Sequence, residues 1–331
     1  MGRKKKKKMK KRALISAIIT ISILAILFIK VDLGLLLKSL QTINYGYLAL
    51  ALLGYLCLNF ALAFRLFLLL NKLGYHHSYR QILFFHFTSM ILGDVTPGKV
   101  GYFGLVLLLK DVKAEDTLSV LTIGQIMDFL MKIVGTVAFV ALLSGILLNE
   151  YQGVVIAGIT VVTALTLIAS LLIWSERSLK LLRIFSFGAL KKLTNLVEGV
   201  QASTSRLKSE LVKALVISIA GWVFVGAQWY FIFLALLPDT NPSFLYFFLL
   251  QAIASTVAFI PVSLGGIGLQ ESAIIGILLI SISNIEYTSA FTFGILVRGM
   301  SMLVDASLGT FNLRKLSLKD IMEDRGWFSR N

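Results

Sequence analysis

Apolar residues run along this chain in long blocks, and polar residues are confined to the short stretches between them. Blocks at about 13–29, 45–70, 117–148, up to 174, 211–237 and 288–313 approach or exceed the roughly 20 residues that a helical membrane span requires. A short amphipathic piece at 33–40 follows the first. Two further apolar stretches, 82–110 and 243–282, are broken in the middle. The first is cut by Gly93-Asp94-Val95-Thr96-Pro97-Gly98, the second by Ile260-Pro261-Val262-Ser263-Leu264-Gly265-Gly266-Ile267-Gly268-Leu269-Gln270-Glu271. Each half of the first is about 10 to 14 residues long, the length of a re-entrant segment.

Composition agrees with this pattern. With 57% hydrophobic and 15% charged residues and a mean hydropathy of +0.85, the chain has too little polar surface to cover a soluble globule. The expected fold is an all-α integral membrane protein, with no segment long enough for a sizeable soluble domain and little room for an active site in water.

The net charge of +15 gathers in Arg3–Arg12, in Arg177–Lys213 and in the tail from Arg314. All three flank apolar blocks, so they indicate the cytoplasmic face and anionic lipid rather than nucleic acid. The expected organisation is a basic cytoplasmic tail (1–12), a first membrane half (13–174), a basic amphipathic linker on the inner surface (175–210), a second membrane half (211–313) and a second cytoplasmic tail (314–331). Block 13–29 lacks an Ala-x-Ala cleavage site and ends at Lys30, which marks a retained span rather than a signal peptide. A multi-pass protein of a prokaryotic plasma membrane, with both termini inside, follows from this reading. Cys57, the single cysteine, reads as a small buried side chain.

The two breaks repeat each other. Thr96-Pro97-Gly98-Lys99-Val100-Gly101 aligns with Ser263-Leu264-Gly265-Gly266-Ile267-Gly268 at an offset of 167 residues, and Thr122-Ile123-Gly124 aligns with Thr292-Phe293-Gly294 at 170. Basic residues border the first broken stretch, whereas Pro238-Asp239-Thr240-Asn241-Pro242 and Ser283–Tyr287 border the second without a Lys or Arg. The charge pattern therefore predicts a polytopic bundle of two inverted halves, each with a broken re-entrant helical hairpin, one facing inward and one outward.

A backbone break inside a bilayer survives only when buried in protein or lining a wet cavity. Helices that restart after such breaks offer free N–H groups to a phosphate or carboxylate, and glycine permits close approach. Candidate substrate-binding residues are therefore Thr96, Pro97, Gly98, Lys99 and Gly101 in the first break, with Ser263, Gly265, Gly266, Gly268, Glu271 and Arg298 in or near the second. Kinks that only shape packing would explain the same glycines. Glu271 falls in the first turn of the restarted helix, where a capping role and a proton or substrate role are both open.

Asp128 and Arg298 lie near mid-span and correspond in the repeat, so they are expected to pair across the interior, with Lys132 and Asp305 extending the network. Arg65 is expected to snorkel to the headgroups. His76, His77 and His86 do not converge with other ligands, so neither a metal nor another cofactor is expected.

These motifs carry a resemblance. Ile260–Glu271, with Thr96–Gly101 upstream, resembles the flippase-like membrane domain of lysylphosphatidylglycerol synthases and its stand-alone relatives, over about residues 33–313. Gln125-Ile126-Met127-Asp128 and Leu296-Val297-Arg298 fall where that family carries an acidic and a basic membrane residue. Tyr102-Phe103-Gly104 departs from the acidic residue that usually follows the first motif. The aminoacyl-transferring domain of the full synthases is absent from this sequence. The resemblance thus implies lipid translocation, not aminoacyl transfer, with an anionic phospholipid or a polyprenyl phosphate-type lipid as partner. A membrane-embedded enzyme acting on a lipid phosphate, or a scaffold for lipid or glycan enzymes, are the alternatives.

Overall fold

A computed structural model describes residues 3–142, 189–240, 242–260 and 262–313, together with 160, 163, 164, 167 and 168. Most of the expected fourth span, most of the first half of the linker, the C-terminal tail and Pro261 lie outside these residues.

Among the described residues all regular structure is helical: α1 (Arg3–Ile29), α2 (Leu33–Gln41), α3 (Tyr45–Lys72), α4 (Tyr79–Asp94), a 3₁₀ turn (Val100–Gly104) running into α5 (Leu105–Leu108), α6 (Ala114–Leu142), α7 (Ala189–Arg206), α8 (Leu211–Leu236), α9 (Phe244–Val257), α10 (Leu269–Ser281) and α11 (Tyr287–Leu313). Four of these, within Tyr45–Lys72, Ala114–Leu142, Lys208–Leu236 and Tyr287–Thr310, are long and apolar enough to cross a membrane. Leu14–Ile29 and Leu33–Gln41 make a fifth candidate, bent by 90° at the break between them. Exposed Val134, Val137, Val212, Val216 and Leu303 give the outside of the bundle an apolar surface of the kind lipid tails cover.

Local chemistry sets the helix starts. Asp32 accepts the Leu35 N–H, Asn44 those of Gly46 and Tyr47, and Ser78 that of Gln81, each satisfying donors that a helix N-terminus leaves unpaired. Small residues then bring helix backbones together where lipid supplies no hydrophobic drive between spans. Gly54 seats α3 against the backbone of Phe224 and Gln228 on α8, Gly135 seats α6 on Ala252 of α9, and Gly309 seats α11 on the Phe87 backbone of α4. Thr88 reinforces the last contact with a 2.9 Å hydrogen bond to the Gly309 carbonyl.

The core falls into two apolar clusters. One joins α8 to α11 around Phe233, Phe247, Phe293 and Trp229, with Phe233 and Phe247 ring centroids 4.6 Å apart. The other joins α3, α5 and α6 around Leu66, Leu70, Leu105, Leu109 and Val120.

The linker's described part, α7, is fastened to the start of α6. The buried Asp116 carboxylate accepts the Tyr75 hydroxyl at 2.6 Å and the Ser203 hydroxyl at 2.5 Å, and Ser119 donates to the Val200 carbonyl.

The two broken stretches are not built alike. The second has limbs of 14 and 13 residues, α9 and α10. The first has a 16-residue α4 and, instead of a comparable helix, only the 3₁₀ turn and the four-residue α5. Gly101 lies so close to α4 that a Cβ would overlap the Leu92 carbonyl, and this tight return leaves no room for a regular α-helical start.

Candidate functional site

The two breaks meet. Pro97 and Leu264 form an isolated antiparallel β-bridge, and the Gly265 N–H donates to the Thr96 carbonyl at 3.0 Å. Gly265 has φ +53°, a left-handed conformation that side-chain-bearing residues rarely adopt. A Cβ there would also overlap the Asp94 carbonyl. A third element joins them, since the α1 residue Thr20 accepts the Leu264 N–H at 2.9 Å.

Most backbone donors of the breaks are already committed. Thr96 Oγ1 accepts the Gly101 N–H at 2.6 Å, and Glu271 Oε2 accepts the Gly268 N–H, also at 2.6 Å. The start of α10, expected to be open to a ligand, is thus occupied by the protein's own carboxylate. The glycines serve the chain as well: the space beside Gly266 is filled by Ala258 and that beside Gly268 by Ile23. Their close approach is to neighbouring protein.

Charged side chains form two buried ion-pair groups. In one, Arg298 Nε donates to Glu271 Oε1 at 3.0 Å and Nη2 to the Gly265 carbonyl at 3.1 Å. Asp94 Oδ1 lies 3.7 Å from Arg298 Nη1 and 3.8 Å from Lys99 Nζ. In the other, Arg65 grips Asp128 with two hydrogen bonds of 2.8 and 3.2 Å and donates to Ser218.

The expected Asp128–Arg298 pair therefore does not form. Correspondence in a repeat puts two residues in equivalent places, not in contact, and each has a nearer partner. Arg65 does not snorkel either: its side chain is 1% exposed, packed over Gly124, whose missing side chain leaves room for the guanidinium. The matching glycine of the echo, Gly294, packs against Glu271. Lys132 and Asp305 stay outside both ion-pair groups. The Lys132 ammonium lies 4.3 Å from the Phe259 ring centroid and 5.1 Å from that of Phe129, a cation–π arrangement. Asp305 accepts the Tyr55 hydroxyl.

Between these groups lies a cavity of about 820 Å³. Of the expected site residues, Gly98, Lys99, Asp128, Lys132, Arg298 and Asp305 line it. Thr96, Pro97, Gly101, Ser263, Gly265, Gly266, Gly268 and Glu271 do not, and stand behind it as support. Sequence reasoning missed Asp94, Tyr55 and the glutamines Gln125, Gln228, Gln251 and Gln270 in the wall. Tyr55 and Asn59, four apart on the Arg65 helix, gave a polar stripe that could have pointed to the interior face of α3. Asn59 is buried there against His86, whose Nε2 is 3.0 Å from the amide oxygen.

Fold and site together define a polytopic helical membrane protein whose interior cavity is walled by charged side chains and by the first of two touching chain breaks. The chain belongs to the lysylphosphatidylglycerol synthase TM region family, whose sequence model matches residues 13–309. It is also similar to a UPF0104 membrane protein of Methanocaldococcus jannaschii, with 32% identity over 112 residues, 34% of this chain and 46% of the relative. The match thus spans about half the length of that relative.

Proposed function

We propose that this protein carries the anionic headgroup of a phospholipid or polyprenyl phosphate-type lipid between leaflets while the tails remain in the bilayer. The observation that carries the reading is the cavity bounded by the first break, with the second break behind it, and holding three cations, Lys99, Lys132 and Arg298. Its volume is that of a small-ligand site. Lys99 and Arg298 contact the anion, Lys132 supplies a cation with no carboxylate within 4 Å among the described residues, and the glutamines bond headgroup oxygens. The break residues Thr96, Pro97, Gly98, Gly101, Ser263, Gly265, Gly266, Gly268 and Glu271 hold these groups in position.

Alternating access follows from two inverted halves, with basic segments and both termini on the cytoplasmic face. The packing supports this symmetry. The bridge joins Pro97 to Leu264, which are equivalent residues of the repeat, as expected of a contact lying on a two-fold axis. Helix α4 packs on α11 as α9, its counterpart, packs on α6, and α3 packs on α8. Rocking one half against the other would expose the cavity to each side in turn.

The test is a vesicle assay. Purified protein is reconstituted with fluorescent phosphatidylglycerol or a fluorescent polyprenyl phosphate, and transfer is followed by quenching of the outer leaflet. Wild type moves at least one of these lipids and Arg298→Ala loses the activity. Failure to move either lipid, with wild type and variant alike, would overturn the proposal.

A further inference from the structure

The charges around the cavity do not cancel pair by pair. Arg65 neutralises Asp128, and Arg298 is hydrogen-bonded to Glu271. Asp94 shares Lys99 and Arg298 at distances beyond hydrogen bonding. Asp305 remains. It is 1% exposed, lines the cavity, and among the described residues has no Lys or Arg nitrogen within 4 Å. Its hydrogen-bond donor is a single group, the Tyr55 hydroxyl, 2.9 and 2.8 Å from its two oxygens.

The surroundings do not favour a bare anion. Helix α4 presents Asp94, a like charge, and the first break presents Lys99. Arg298 lies two turns back on α11 and is engaged with Glu271 of α10. Tyr55 comes from α3. Helix α8 offers the uncharged Gln228, bonded to Ser301, and α2 meets α11 away from this position, where the Asp32 N–H reaches Thr288. An ionised carboxylate taken out of water costs several kcal/mol unless a cation and further hydrogen bonds compensate it, and one phenol hydrogen does not.

We propose that Asp305 is the proton-binding group of the cavity, and that a headgroup anion binds there only while Asp305 holds its proton. The linkage to an anion rests on the headgroup reading above. Phosphate oxygens compete with Asp94 for Lys99 and Arg298, because the Asp94 contacts to both are long. The proton comes from the aqueous phase facing the open cavity and binds one Asp305 oxygen, while the other keeps the Tyr55 hydroxyl. The protonated carboxyl spares the cavity a second uncompensated negative charge beside that of the anion, in either conformation of the carrier.

Two measurements on the full-length protein test this. In the first, infrared spectra at neutral pH are compared for wild type, Asp305→Asn and Tyr55→Phe. A protonated-carboxyl C=O band is expected in wild type, absent from Asp305→Asn and shifted in frequency in Tyr55→Phe, which retains the carboxyl. The proposal is overturned if the band is missing from wild type, or if it is the same in all three. In the second, binding of dihexanoyl phosphatidylglycerol is titrated across pH. Wild-type affinity should fall as pH rises through the titration of Asp305, by up to about tenfold per unit above it because only the protonated form binds the anion, and Asp305→Asn should bind without that dependence. An equal pH slope in the variant overturns the linkage. The carboxyl band without any lipid binding would retain the proton site and remove the headgroup reading instead.

Discussion

Gly265→Ala is the most informative single change, because one methyl group is made to fight three features at once. Alanine in the left-handed region costs about 1–2 kcal/mol. Its Cβ would overlap the Asp94 carbonyl, so the two breaks must separate, weakening the hydrogen bond from Gly265 to Thr96 and that from Arg298 to the Gly265 carbonyl. A backbone bond contributes about 1 kcal/mol and one to a charged group about 1.5–3; partial loss of both brings the total to about 3 kcal/mol. At 1.4 kcal/mol per factor of ten, the joined arrangement becomes about a hundredfold less populated. The assay replaces Pro97 and Leu264 with cysteines in a Cys57→Ser background. Residues paired across an antiparallel bridge are within disulfide reach, so the parent should cross-link readily on mild oxidation and Gly265→Ala slowly. Gly276→Ala is the control, since no atom lies within 4 Å of the added Cβ. If Gly265→Ala cross-links and melts like Gly276→Ala, the argument that the breaks stand on one another is wrong.

Other expectations follow from the same contacts. Arg65→Ala should lower stability by about 1.5–3 kcal/mol by taking a charged hydrogen-bond partner from the half-buried Asp128, and Arg65→Ala with Asp128→Ala should cost less than the two single changes added; thermal unfolding in detergent checks both. Ser203→Ala removes one of two hydroxyls from Asp116 and should cost about 1.5–3 kcal/mol, loosening α7 as read by hydrogen exchange over 189–206 while lipid transfer persists. A cysteine at Asp239 should be labelled by an impermeant reagent from outside and one at Lys191 should not; the reverse pattern would remove the two-inverted-halves reading.

How far the sequence led depended on the kind of information each feature carries. Span positions follow from runs of apolar residues, and the described helices fall on the expected ones. The break sites were legible because Pro97, Gly98 and Gly265-Gly266 cannot continue a helix without penalty. Partners were not. Arg65 lies seven residues from the end of α3, roughly 10 Å along the axis, within reach of the headgroups, and only tertiary packing turns it inward to Asp128. The missing acidic residue at Gly104 was visible, but its consequence was not. Glu271 caps the Gly268 N–H, and the equivalent Gly101 N–H is capped by the Thr96 hydroxyl instead. A different side chain, reaching from the other side of the turn, does the same work. Ser263, at the place equivalent to Thr96, is relieved of that task, and its buried hydroxyl has no hydrogen-bond partner among the described residues.

The hydrogen bond from Gly265 to Thr96 also bears on the making of the protein. The carbonyl of Thr96 already accepts the Lys99 N–H within the first half, but the Gly265 amide that takes its second lone pair is translated roughly 170 residues later, about 10 to 30 s at usual synthesis rates. Throughout that interval the first break lacks the contact that joins it to the second. The joining of the two breaks is therefore a late step in the making of this fold, and substitutions in the second break should disturb that step while the first half inserts as before.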